Sequence, residues 1–178
     1  YCVCDNITNK EVDDGFKLQL FFENGKQAHI EVGTYNFISM PRFYMRAEKD
    51  SSIAEIAMQY NDSYSDCIMT FANNMNTIEG GTHETGFKSG LTRVLNDYAR
   101  KNGILKDSDK NLSGEDVREG LCAIVSVKLE NAQFESQTKA KLGNSEIRTI
   151  VETVVTAKLK EFLEENPATA KLIMDKSV

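Results

Sequence analysis

After "EGGTH" at residues 79–83 the hydrophobic period of this chain changes from two to about 3.6, and that change limits the folds open to it. Ahead of it, "FKLQLFF" sets Phe16, Leu18, Leu20 and Phe22 on one face, and "KQAHIEV" sets Ala28, Ile30 and Val32 on one face. Asn24-Gly25 lies between them, and both residues tolerate the positive φ of a tight hairpin turn. "AEIAMQY" then aligns Ile56, Met58 and Tyr60, and after "NDSYS" the run "DCIMTFAN" aligns Cys67, Met69 and Phe71, which predicts a second hairpin. Beyond the change, Phe87, Leu91, Val94, Leu95 and Tyr98 form a helical stripe. Thr82 is the expected cap of that helix, Glu84 complements its first turn, and Arg100, Lys101 and Gly103 mark its end. Ser113 and Asp116 have capping-box spacing over a short helix that stops near Gly120.

"LCAIVSVKL" alternates Leu121, Ala123, Val125, Val127 and Leu129 and reads as a central strand. The last stripe is the longest: Ile147, Ile150, Val151, Val154, Val155, Leu159, Phe162 and Leu163 predict a helix capped by Asn144 or Ser145, with Glu146 in its first turn. Asn166-Pro167 ends it and starts another, with Pro167 at the first helical position. The order of hairpin, hairpin, helix, strand, loop, helix, helix predicts one α/β domain, a mixed sheet with helices packed on it.

The chain has 178 residues and a net charge of −6, which argues against a general nucleic-acid binder while leaving room for a local basic surface. No apolar run approaches the roughly 20 residues that span a bilayer, and no signal-peptide pattern is present. Cys2 and Cys4 lack a second pair to complete a zinc site, so no metal site is expected. Cys67 and Cys122 fall in strand-like runs and are expected to be buried, reduced small hydrophobes of a cytoplasmic protein. The first residue is Tyr1, so a segment of a longer chain is expected.

Three places could carry chemistry. His83 follows Gly80-Gly81-Thr82 at a helix start, where an anion site and a plain tight turn are both open readings and the plain turn is favoured. His29 alternates within a strand and Asp13-Asp14 reads as a solvated turn, so both are expected to be structural. The third place is "QFESQTKAKLG" at 133–143, a polar loop between two core elements. Lys139 and Lys141 are point charges suited to a phosphoryl group and Gln137 adds a neutral donor, although composition alone favours a solvated connection with incidental lysines.

The stretches "AEIAMQYNDSY", "FANNMNTIEGGTHETGFKSGLTRVLNDYARK", "LSGEDVREGLCAIVSVKL", "QFESQTKAKLGNSEIRTIVE" and "EFLEENPATAK" resemble, in order and spacing, the B subunit of bacterial DNA gyrase from about residue 43 onward. The B-type subunit of topoisomerase IV shares most of them and is the near alternative. The resemblance implies a transducer domain: an α/β sandwich related to galactokinase-type kinases, with a left-handed βαβ crossover where general rules favour the right-handed one. It implies a divergent N-terminal hairpin segment at 1–42, a transducer core at 43–165, and a C-terminal helix at 166–178 leading toward the DNA-cleavage domain.

The family's "QTK" matches Gln137, Thr138 and Lys139. By resemblance, Lys139 and Gln137 reach the terminal phosphate of ATP held, with Mg2+, by the neighbouring N-terminal ATP-binding domain, and Lys141 is a bystander or a second contact. Lys88 and Arg93 fall at or beside basic positions that face a captured DNA segment, against the plain reading of a solvated helix face. The implied parent is an ATP-hydrolysing DNA topoisomerase, an isomerase that acts as a homodimer with the gyrase A subunit on DNA. The ATP-domain motifs are missing here, so this segment alone is expected to be inactive. A rival, an autonomous small-molecule phosphotransferase of the same fold, would need "NTIEGGTH" as its own phosphate loop.

Overall fold

The structure, a computed structural model, describes the backbone of residues 2–5, 15–21, 27–33 and 42–49, and side chains at 43–47, 52–106, 108–135 and 137–177. The chain divides into two compact units, Tyr1–Ser39 and Met40–Val178. In the first, β1 (Cys2–Asp5), β2 (Gly15–Phe21) and β3 (Gln27–Gly33) form an antiparallel sheet in that order. The predicted first hairpin is present as β2 paired to β3 from Gly15↔Gly33 to Phe21↔Gln27. The Asn24-Gly25 and Asp13-Asp14 turns and the surroundings of the His29, Cys2 and Cys4 side chains lie outside the described residues.

The second unit holds a five-stranded mixed sheet of order β4-β5-β8-β6-β7. Its strands are β4 (Arg42–Lys49), β5 (Ser52–Tyr60), β6 (Cys67–Ala72), β7 (Met75–Asn76) and β8 (Leu121–Lys128). Three helices follow the strands they accompany: α1 (Thr82–Lys101), α2 (Ser145–Glu165) and α3 (Pro167–Ser177). Among the described residues no helix is long and apolar enough to cross a membrane.

The predicted second hairpin is not formed. β5 and β6 never touch as partners, because β8 enters between them, antiparallel to β5 and parallel to β6. The six residues of 61–66 therefore cross the width of a strand rather than turning a hairpin, and the Asn61 N–H donates to the Gly120 carbonyl where β8 begins (2.8 Å). The hairpins that do form are β4 with β5, and β6 with β7 across Asn73 and Asn74, whose φ values of 49° and 65° suit a type I′ turn. β6, α1 and β8 make the βαβ crossover, and β8, buried at Leu121, Ala123, Val125 and Val127, is the central strand its alternation predicts.

The inward face of β6 is the opposite of the one its apolar residues suggest. Thr70 and Ala72 are buried, whereas Cys67 and Met69 are exposed. Thr70 can face the core because its hydroxyl is satisfied there, donating to the Thr77 carbonyl at 2.9 Å and lying 2.7 Å from Thr77 Oγ1. Cys67 is thus not the buried hydrophobe expected of it, and Cys122 is only half-buried.

The two long stripes behave as their periods require. Phe87, Leu91, Val94 and Leu95 of α1 and Ile147, Val151, Val155, Leu159 and Leu163 of α2 are buried in one core with Ile56, Met58, Leu121 and Val125 of the sheet. Ala170, Ile173 and Met174 of α3 extend the same core. Ser113 and Asp116 form the predicted capping box, Asp116 N–H to Ser113 Oγ and Ser113 N–H to Asp116 Oδ2, over a single 3₁₀ turn at Asp116–Arg118.

α1 and α2 pack at backbone distance. A Cβ at Gly86 would sit 2.4 Å from the Arg148 carbonyl oxygen, so only glycine permits this approach. In an exposed helix Gly→Ala gains roughly 1 kcal/mol from propensity. Gly86→Ala is expected instead to cost about 1–3 kcal/mol of unfolding free energy by forcing the helices apart, as measured by urea unfolding. A stabilised variant would show that the two helices are not this close.

Candidate functional site

The polar loop after β8 is a narrow excursion with a buried return leg. Glu135 N–H donates to the Lys141 carbonyl (3.1 Å) and Gly143 N–H to the Gln133 carbonyl (2.8 Å), while Phe134 and Leu142 bridge in antiparallel fashion. Gln137, Thr138 and Lys139 are exposed at the tip, and Ala140 and Leu142 are buried. Lys139 has φ 54°, a left-handed conformation that costs a non-glycine residue roughly 1–2 kcal/mol. Its ammonium has no ion-pair partner among the described residues. Lys141 differs: its Nζ lies 2.8 Å from Glu135 Oε2, and that hydrogen bond raises its pKa. Among the described residues, then, one lysine of the loop is unpaired and the other is neutralised.

The return leg is fastened to the start of α1. Thr82 N–H donates to the Leu142 carbonyl (3.0 Å), Leu142 N–H to the Gly80 carbonyl (3.1 Å), and Glu79 N–H to the Ala140 carbonyl (3.0 Å). Gly81, with φ 140°, lies so flat on this leg that a Cβ there would stand 2.4 Å from the Leu142 oxygen. "EGGTH" is thus a backbone clamp. The residue preceding α1 is Gly81, and Thr82 does not cap the helix as expected: its Oγ1 is buried without a hydrogen-bond partner. The clamp carries no sequence signal, because glycine pairs announce a turn but not what packs against it.

The other end of the loop is held by Asn144. It precedes α2 as predicted, but its side chain does not bond that helix's first amides. Its Oδ1 accepts from Gln133 N–H (2.7 Å), and its Nδ2 donates to the Asn131 carbonyl (3.1 Å) and to Glu146 Oε1 (2.8 Å). The last of these also holds the Glu146 carboxyl below its usual range.

His83 is fully buried rather than presented to an anion. Its Nε2 lies 3.0 Å from Thr77 Oγ1 and its Nδ1 has no partner. Burial lowers its pKa to about 4, opposed by the nearby Glu84. The amides of Glu79, Gly80 and Thr82 in "NTIEGGTH" are all engaged within the protein.

Lys88 and Arg93 meet in an open cleft of about 530 Å³ between α1 and the 111–118 segment, which Arg118 also lines. Lys88 pairs with Glu84, Arg93 bridges to Glu152 of α2 at 2.7 Å, and Arg118 Nε lies 2.9 Å from Asp66 Oδ2. Arg118 joins this cleft only through the fold and carries no sequence signal of its own. Among the described residues no group of three or more His, Cys, Asp or Glu is arranged to hold a metal ion.

A mixed sheet with a βαβ crossover, backed by two long helices, is a fold this chain shares with solved ATPase-region structures of gyrase B and topoisomerase IV. The 43K ATPase domain of Thermus thermophilus gyrase B, solved with an aminocoumarin, is similar at a TM-score of 0.72 and 36% identity, over 90% of this chain and 47% of that one. The ATP-binding domain of Francisella tularensis topoisomerase IV has the same fold at a TM-score of 0.70 and 24% identity, over 90% of this chain and 46% of that one. The family model described as DNA gyrase B matches residues 17–178, and the chain belongs to that family. The gyrase B protein of Clostridium acetobutylicum is 49% identical across 94% of this chain and 28% of its own length. Its counterpart in Halalkalibacterium halodurans is 57% identical across 76% of this chain and 21% of its own length. The chain therefore spans about a quarter of the length of these relatives.

The buried neutral His83 makes stability depend on pH. Its pKa falls from 6.5 to about 4 on folding, so the unfolded state takes up the proton first as pH drops. The contribution is full above pH 6.5 and declines by about 1.4 kcal/mol per pH unit down to about pH 4. Between pH 7 and 5 the native chain is expected to lose about 2 kcal/mol more than His83→Gln in urea unfolding. Equal losses would contradict the buried neutral imidazole.

Proposed function

We propose that this chain is the transducer segment of the ATPase-bearing B subunit of a DNA gyrase. In this reading it couples ATP binding and hydrolysis in the adjacent domain to capture and passage of a DNA segment. The observation that carries the reading is Lys139: a cation with no ion-pair partner among the described residues, at the apex of a loop whose other lysine pairs with Glu135, held in an uncommon backbone conformation. Such a residue fits a partner that comes from outside the chain. Phosphate oxygens suit it, since an ammonium is a strong point-charge donor to them and Gln137 beside it offers a neutral donor.

Lys139 stabilises negative charge on the terminal phosphate and Gln137 orients it. The nucleotide and its Mg2+ belong mainly to the N-terminal ATP-binding domain of the parent, and this segment alone is inactive. Thr82, Gly80 and Glu79 tie the loop's return leg to α1 by backbone hydrogen bonds, so a displacement of the loop is a displacement of the α1 start. α1 carries Lys88 and Arg93 at the cleft, which gives the phosphate-sensing end and the DNA-facing side one rigid connection. The other parts of the parent are the gyrase A subunit, a second copy of the gyrase B chain and DNA, in the cytoplasm, with the 166–178 helix leading on toward the cleavage domain. The rival kinase reading is disfavoured by the engagement of the Glu79, Gly80 and Thr82 amides in the clamp.

In the full-length protein, Lys139→Ala is expected to lower ATP turnover about 100-fold with little change in nucleotide affinity, while Lys141→Ala stays near wild type. Unchanged turnover for Lys139→Ala would overturn the role of this loop. For the cleft, Lys88→Ala with Arg93→Ala is expected to flatten the slope of log K against log salt for duplex DNA by about 0.9 for each phosphate no longer neutralised. An unchanged slope would return both residues to the status of a solvated helix face.

A further inference from the structure

The outer face of the sheet holds two side chains that the proposed function does not use. β6 and β8 run parallel, and their register sets Cys67 directly beside Cys122. Both thiols are free and both project from the face opposite the helices. Leu121 and Ala123 point inward while Cys122 and Ile124 point out, and Thr70 and Ala72 point inward while Cys67 and Met69 point out. Adjacent strands lie about 4.8 Å apart, inside the Cα separation of about 4.4–6.8 Å that a disulfide needs. Burial, together with the neighbouring Cys67 thiol, raises the pKa of Cys122 above the ordinary thiol range.

Access to the pair is unequal. Cys67 is exposed at the start of β6, and Cys122 is half-buried. Beside Cys122 runs an apolar groove of about 330 Å³ lined by Phe43, Tyr44, Ala57 and Ile124, so the second thiol is sheltered but not sealed. An exposed cysteine next to a half-sheltered one has the arrangement of an attacking thiol and a resolving thiol.

We propose that Cys67 and Cys122 are a modification site, a dithiol that a low-molecular-weight disulfide converts into a cross-link between β6 and β8. The Cys67 thiolate attacks one sulfur of the small disulfide, forming a mixed disulfide and expelling one small thiolate. The Cys122 thiolate then attacks Cys67 Sγ, breaking the mixed bond and expelling the second. Two protein thiols are oxidised, one small disulfide is reduced to two thiols, and the two protein protons pass through solvent to the departing thiolates. The closed loop runs from Cys67 to Cys122 and so contains β7, α1 and the Gly80–Gly81 clamp. Cross-linking restrains the unfolded chain across that span and raises the thermal midpoint.

The test is peptide mapping by mass spectrometry of the whole chain, equilibrated with oxidised and reduced glutathione in varied ratio and quenched by alkylation. Mapping separates this pair from Cys2 and Cys4. The expected product joins the peptide containing Cys67 to the one containing Cys122, and its yield follows the glutathione ratio. Cys122→Ser should instead accumulate glutathione on Cys67. Cys67→Ser should react at Cys122 at least about tenfold more slowly than Cys67 reacts in the native chain. Wild-type protein that accumulates glutathione on Cys67 without the cross-linked peptide, or that reacts at neither cysteine across the whole range, overturns the proposal. The wild-type mapping decides this without any variant having to fold.

Discussion

The arrangement of this domain depends on one short backbone contact: Leu142 laid between Phe134 on one side and Gly80-Gly81 on the other. Both of its main-chain polar groups are satisfied by that contact, and its side chain is fully buried. A polar excursion between two apolar elements would otherwise leave amides buried without partners, which costs roughly 1–3 kcal/mol each. The clamp removes that penalty. It also lets Gln137, Thr138 and Lys139 stand in solvent while the residues directly after them belong to the core.

The same contact joins three elements. β8 delivers the loop, α1 begins where the loop is fastened, and α2 begins at Asn144, which holds the other leg. α1 and α2 are held together by the backbone approach at Gly86, which the Arg93–Glu152 ion pair also spans. A conformational signal entering at the loop tip therefore meets packed backbone all the way to the helices. Packed elements of this kind shift between discrete arrangements rather than bending continuously, which is what the proposed relay of a nucleotide state would require.

The two faces of the sheet have different tasks. The inner face accepts α1, α2 and α3, with a buried Thr70–Thr77–His83 chain as its polar inclusion. The outer face has no helix of its own among the described residues, and Tyr44, Met69 and Ile124 remain exposed on it. On that face the cysteines are governed by access and by each other rather than by packing.

The sequence by itself determined the long elements, whereas the strands β1, β4 and β7 were not read from it. The period-3.6 stripes of α1 and α2, the alternation of β8 and the capping box at Ser113 and Asp116 are local properties, and each is present where its residues put it. The loop was visible as a polar stretch between apolar runs, but that pattern alone favours a solvated connection, and Gln137 and Lys139 stood out only through the family resemblance. Tertiary structure decided what touches what. The six-residue gap between β5 and β6 looks like a hairpin, but β8 enters between them because burying a fully alternating strand on both edges outweighs one local turn. The inward face of β6 departs from its pattern for a related reason: hydrophobicity favours Met69 over Thr70, but a threonine whose hydroxyl finds two oxygens in the core loses little by being buried. The clamp, the role of Asn144 and the meeting of Cys67 with Cys122 join residues far apart in the chain. Contacts of that kind are set by the packing of the whole, and no local pattern encodes them.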